Sequence, residues 1–121
     1  MAAALRGVAL ALLVAACDRP LPESEPATGG NPRNGRQLIQ QFGCGSCHSI
    51  PGVPGATATV APSLEKLKNR QFLAGRLSNT PENLQRWIRK PRSVDPKTAM
   101  PDVGLDEAQA RDIAAYLYVS R

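Results

Sequence analysis

Histidine and tryptophan each occur once in this chain, as His48 and Trp87, and methionine occurs twice, one of the two being the initiator. A single imidazole excludes any site that needs a pair of them. With five aromatics in 121 residues, the chain has little of the bulky apolar volume that usually fills a small core. Its apolar run, Val8 to Ala16, is shorter than the roughly 20 residues that cross a bilayer. Basic tracts and aromatic platforms are lacking, so a nucleic-acid partner is not expected. No segment alternates apolar and polar residues convincingly, so no substantial sheet is expected, and no internal repeat is visible. The length allows one domain at most.

What the chain does have is Cys44-Gly45-Ser46-Cys47-His48. Two thiols at this spacing can add across the two vinyl groups of a haem as thioethers, and the next residue can reach the iron through its imidazole. C-x-x-C-H reads as c-type haem attachment. Two other readings compete. A redox dithiol uses C-x-x-C but explains neither His48 nor the methionine below. A zinc site wants four ligands, and there is no second cysteine pair. A haem is itself a large flat apolar group that can supply the missing core. The chain is therefore expected to be poorly folded without it.

Three cysteines leave one over, Cys17. Met1 to Ala16 reads as a secretory signal, with Arg6 as its positive start and small residues at its end. Val14-Ala15-Ala16-Cys17 resembles the lipobox of bacterial lipoproteins, which implies cleavage before Cys17 and lipidation of its sulphur. An ordinary secretion signal with a free cysteine is the alternative. An aspartate at position 18 implies, by the same resemblance, retention at the periplasmic side of the inner membrane. Residues 17–30, rich in proline and glycine, read as a lipid-anchored tether, disordered or polyproline-like, with an extended reach on the order of 40 Å. The net charge of +5 becomes +4 once Arg6 is removed with the leader.

The domain is expected over residues 31–121. Asn31-Pro32 reads as a helix cap followed by proline at the first position, with Gly35, Leu38, Ile39 and Phe42 at helical spacing and Gly43 as the stop. Thr80-Pro81-Glu82 opens a second helix with Leu84, Trp87 and Ile88 on one face, ended by Pro91. Asp106 and Gln109 form a capping-box pattern for a third, with Ile113, Tyr116 and Leu117 buried. A short helical piece is expected around Leu64–Lys68. Met100, in a loop held between Pro96 and Pro101, is the candidate second iron ligand. A soft neutral thioether favours ferrous iron. Methionine as a core filler is the alternative, and Lys90 and Lys97 are lesser candidates for the same position.

With these residues in place, the chain resembles a small class I bacterial cytochrome c over residues 31–121. The resemblance implies an all-α cytochrome c fold. About three main helices wrap around one covalently bound haem c, and the first and last helices cross. It also implies an electron-transfer protein, not an enzyme, in a monomeric domain. Pro62 resembles the proline whose carbonyl orients the proximal histidine, although a plain loop role is open. Leu64 would then pack on the haem. Arg70 resembles the arginine that pairs with a haem propionate; a solvated surface arginine is the alternative. Trp87 stands where mitochondrial relatives carry a tyrosine, and can equally be a core residue. Thr98 resembles a threonine that bonds a propionate, or serves a turn. The pattern departs at Ala61, where the family has glycine, and in the shortness of the segment after Arg70. The implied partners are a terminal oxidase, another respiratory complex or a periplasmic dehydrogenase. An alternative is a fixed subunit of one membrane complex, and a third is a haem enzyme or sensor with an open iron position. Lys66, Lys68, Arg70, Arg76, Arg86, Arg89, Lys90 and Arg92 are expected, in part, to ring the exposed haem edge and dock acidic partners in a salt-sensitive way. Ordinary solvated helix faces are the alternative.

Overall fold

A computed structural model describes residues 19–121. The expected signal and Cys17 lie outside the described residues.

Three helices start where their caps place them. Helix α1 (Pro32–Gln41) has Pro32 in its first turn, and the Asn31 side chain accepts from the backbone N–H groups of Arg33 and Asn34 at 2.9 and 3.3 Å. Gly43, at φ +73°, adopts the left-handed conformation that ends this helix. Helix α2 (Pro81–Arg89) is capped by Thr80, and α4 (Glu107–Val119) by the reciprocal Asp106–Gln109 box. Pro91 ends α2 as expected and also opens a further short helix, α3 (Pro91–Val94), because proline suits a first helical position. The helical piece expected around Leu64–Lys68 is a 3₁₀ turn at Leu67–Asn69. Among the described residues, the sheet is confined to a hairpin of β1 (Phe72–Leu73) and β2 (Leu77–Ser78), antiparallel with Leu73 opposite Leu77.

The packing centre is the contact of α1 with α4. A Cβ on Gly35 would lie 1.9 Å from the Asp112 carbonyl oxygen, so the two backbones meet there and only glycine fits. Asp112 secures the contact by accepting from the Asn31 N–H at 2.8 Å. Six consecutive residues of α4, Ile113 to Leu117 and Tyr118, are buried, more than the one-sided stripe expected. The two tyrosines tolerate this because their hydroxyls donate to the Pro51 carbonyl (2.5 Å) and the Asn79 side chain (2.9 Å). Among the described residues, no helix is long and apolar enough to cross a membrane.

The expectation of a free tether up to residue 30 is corrected. Leu21 packs against the core, and its carbonyl accepts from Arg33 Nε at 3.2 Å. Glu25 is only 2% exposed. Its carboxylate accepts from the Thr28 N–H at 2.8 Å and lies 3.4 Å from Lys68 Nζ. Gly30 is pressed against the Arg111 carbonyl, with no room for a Cβ. Polar, proline-rich composition concealed the packing because Arg33, Lys68 and Arg111 lie far from their partners in sequence. Burial pushes the Glu25 carboxyl up, but hydrogen bonds from Thr28, Ala27 and Lys68 outweigh it and hold the group below the usual carboxylate range.

Candidate functional site

Between α1, α2, α4 and the loops that join them lies a cavity of about 520 Å³. Its walls are mostly apolar: Ile39 from α1 and Phe42 just after it, Leu84 and Ile88 from α2, Ile113 and Leu117 from α4. A void of this size and polarity in so small a domain is suited to a large apolar ligand. Cys44, Cys47, His48, Pro62, Leu64, Arg70, Trp87, Thr98 and Met100 all line it. Lys90 and Lys97, the lesser candidates for the second ligand, do not.

The cysteine motif is shaped by its neighbours. Gly43 turns the chain out of α1 into a 3₁₀ turn at Cys44–Ser46, and the His48 N–H donates to the Cys44 carbonyl at 3.1 Å. Gly45 has a packing reason that the motif alone did not reveal: a Cβ there would come within 2.8 Å of Ala56 Cβ. Both thiols are free rather than joined in a disulfide. Burial pushes the Cys44 thiol up.

His48 Nδ1 lies 2.7 Å from the Pro62 carbonyl oxygen. A carbonyl can only accept, so Nδ1 carries the proton and the lone pair of Nε2 is left free. The loop presenting Pro62 is fastened to the motif on both sides. The Ala61 N–H donates to the Cys47 carbonyl at 2.8 Å, and the Leu64 N–H to the Ser49 carbonyl at 2.9 Å. Alanine is accommodated at position 61 because its φ is not positive, so no glycine is needed. The Arg70 guanidinium donates to the Ser63 carbonyl, and it has no ion pair among the described residues.

Met100 is held from its own side. Its N–H donates to Thr98 Oγ1 at 3.1 Å, so Thr98 has the turn role as well as a place on the wall. Asp95 accepts from the Lys97 N–H at 3.1 Å and pairs with Arg76 Nε at 3.4 Å. Asp95 also lines the cavity, and the sequence offered no signal of this beyond an Asp-Pro turn.

The eight basic residues expected, in part, around the haem edge are divided between two places, with Arg70 on the cavity wall and Arg76 paired to the cavity-lining Asp95. Of the eight, Arg70 lines the cavity, while Arg86, Arg89 and Lys90 line a separate groove on the outer face of α2. Lys68 pairs with Glu25, and Arg76 with Asp95. Helical phase explains the division: Leu84, Trp87 and Ile88 occupy the inner face of α2, which sends Arg86 and Arg89 outward. The apolar side chains Val60, Phe72 and Val103 also stand on the cavity wall.

The comparisons with known proteins agree with this geometry. The family model described as Cytochrome c matches residues 32–119, and the chain belongs to that family. Its cofactor is a covalently bound haem c, which the paired free thiols, the oriented imidazole and the apolar cavity fit. The chain is 34% identical over 97 residues to cytochrome c oxidase subunit 2 of Alkalihalophilus pseudofirmus, covering 78% of this chain and 27% of that protein. It is 33% identical over 85 residues to cytochrome c oxidase subunit 2 of Bacillus sp. strain PS3, covering 67% and 24%. The chain thus spans about a quarter of the length of these relatives. In fold it is similar to cytochrome c2 from Rhodobacter sphaeroides, with a TM-score of 0.51 and 21% identity over 73% of this chain and 94% of that one. The all-α cytochrome c fold expected from the sequence is the fold found.

Proposed function

We propose that this haem-binding electron-transfer protein is a mono-haem carrier whose iron is held between His48 and Met100, passing single electrons to or from a membrane respiratory partner. The observation that carries the reading is the pairing of a tautomer-fixed His48 with Met100 on the wall of one apolar cavity.

When bound, the haem supplies the one-electron ferric/ferrous couple; this chain supplies its setting. Cys44 and Cys47 would hold it covalently. Pro62 keeps the proton on His48 Nδ1, leaving Nε2 to donate. The Thr98 turn and the Asp95–Arg76 pair hold the methionine loop in one shape, so little rearrangement accompanies a change of charge. Isoleucine, leucine and phenylalanine side chains exclude water. Arg70 offers a guanidinium to a haem propionate. The placement we favour remains an export leader followed by lipidation at Cys17.

A redox titration of the exported protein, followed by absorbance, tests the carrier reading. A single one-electron transition is expected; turnover of a substrate with no such transition would overturn it. The similarity to oxidase subunit 2 favours a terminal oxidase as partner, and gives weight to a second reading in which this domain is a fixed oxidase subunit. Copurification with an oxidase that survives high salt would select the subunit; dissociation would select the carrier.

A further inference from the structure

On the outer face of α2, a second groove of about 420 Å³ runs between α2, the start of α4 and Thr28 of the amino-terminal segment. Four cations line it, Arg86, Arg89, Lys90 and Arg111, against two carboxylates, Glu82 and Glu107. Arg86, Lys90 and Arg111 make no ion pair among the described residues. Arg89 is poorly served: one nitrogen reaches the largely exposed Glu107 at 3.3 Å, and its Nε is shut off from solvent with no acceptor among the described residues. The negative end of α2 accounts for cations at Arg86, Arg89 and Lys90. It does not account for Arg111, which α4 brings to the same place from the second turn of another helix. Convergent guanidinium forks with surplus positive charge recognise phosphate.

The path of the chain indicates where such a phosphate comes from. Leu21 is fixed to the domain beside Arg33, and Cys17 is four residues earlier. If Cys17 is lipidated, those residues reach at most about 14 Å, so the domain is held close against the bilayer surface. We propose that the groove binds the phosphate of an anionic phospholipid headgroup. The proposal rests on the membrane placement above, though not on the redox role. Binding there uses the outer face of α2, and its inner face, with Trp87, continues to line the haem cavity.

The test uses haem-loaded protein exported behind an ordinary cleavable signal, so that Asp18–Arg121, which includes every described residue, carries no lipid. Cosedimentation is measured with phosphatidylglycerol–phosphatidylcholine vesicles and with phosphatidylcholine alone. Binding to the anionic vesicles only is expected, weakened at least about tenfold in R86Q/R111Q, since each basic residue near such a surface contributes about fivefold. K66Q/K97Q removes the same charge elsewhere and should bind nearly as wild type. Equal losses in the two double variants would reduce the effect to bulk charge and overturn the proposal. So would absence of vesicle binding, whether or not inorganic phosphate perturbs the groove. The haem spectrum and potential should be unchanged in both variants, so failure here leaves the carrier reading intact.

Discussion

Helices α1 and α4 take part in two regions built on opposite plans. Where they cross, backbone lies on backbone: Gly35 meets the Asp112 carbonyl with no room for a methyl group, and Asp112 binds the Asn31 N–H. Further along, Ile39 of α1, Phe42 at its end, and Ile113 and Leu117 of α4 face about 520 Å³ of space. The crossing needs only polypeptide, and the cavity needs a guest. A chain with five aromatics closes one half of its core by itself and leaves the other half to a flat apolar cofactor. The site is therefore a structural element as much as a functional one.

Removing the guest separates the two plans most severely. C44S/C47S should retain no covalent haem, and circular dichroism should show loss of most helical signal, because the cavity walls lose their apolar filling. A helical, cooperatively melting apoprotein would mean that the crossing suffices alone. The converse change is Gly35→Ala. It should lower stability by about 3 kcal/mol, the upper end for overpacking, since the obstructing atom is a backbone carbonyl. Denaturant melts would read that loss, while any folded fraction keeps its haem spectrum. Met100→Ala leaves the crossing alone and should keep the haem bound. Its reduction potential should fall as the soft thioether is lost; an unchanged potential would remove Met100 from the iron.

The smallest effect concerns the amino-terminal segment, which packs beside the crossing where Gly30 meets the Arg111 carbonyl. The Glu25 carboxyl titrates lower in the folded chain than the unfolded value of about 4.3. Its stabilisation is therefore fully present above that value and is lost as pH falls through the folded value. Glu25→Gln should cost about 1–2 kcal/mol at neutral pH and flatten this acid dependence. Hydrogen exchange at Thr28 and Gly30 should report the release. A variant with the wild-type acid profile would show that Lys68 and Thr28 do not hold the segment through this carboxylate.

Local signals were readable in the sequence because their causes are local. Asn31-Pro32, Thr80-Pro81 and Asp106 with Gln109 each cap a helix through atoms within three residues, and they fixed three helix starts. The haem motif was equally plain; Met100 was singled out as the one methionine beyond the initiator, in a loop between Pro96 and Pro101, and Pro62 followed from the family resemblance. Long-range features were not readable. Nothing near Glu25 reveals that Lys68 waits for it, and nothing in Gly45 points to Ala56. The basic residues were countable, but which way each pointed depended on the face of α2 that the cavity claims.

The central claim, an iron closed on both sides by His48 and Met100, is tested most directly by adding carbon monoxide to the reduced wild-type protein and recording its absorption spectrum. The account predicts an unchanged spectrum, because the methionine already occupies the second position. A prompt shift to a carbonyl-bound spectrum would contradict it.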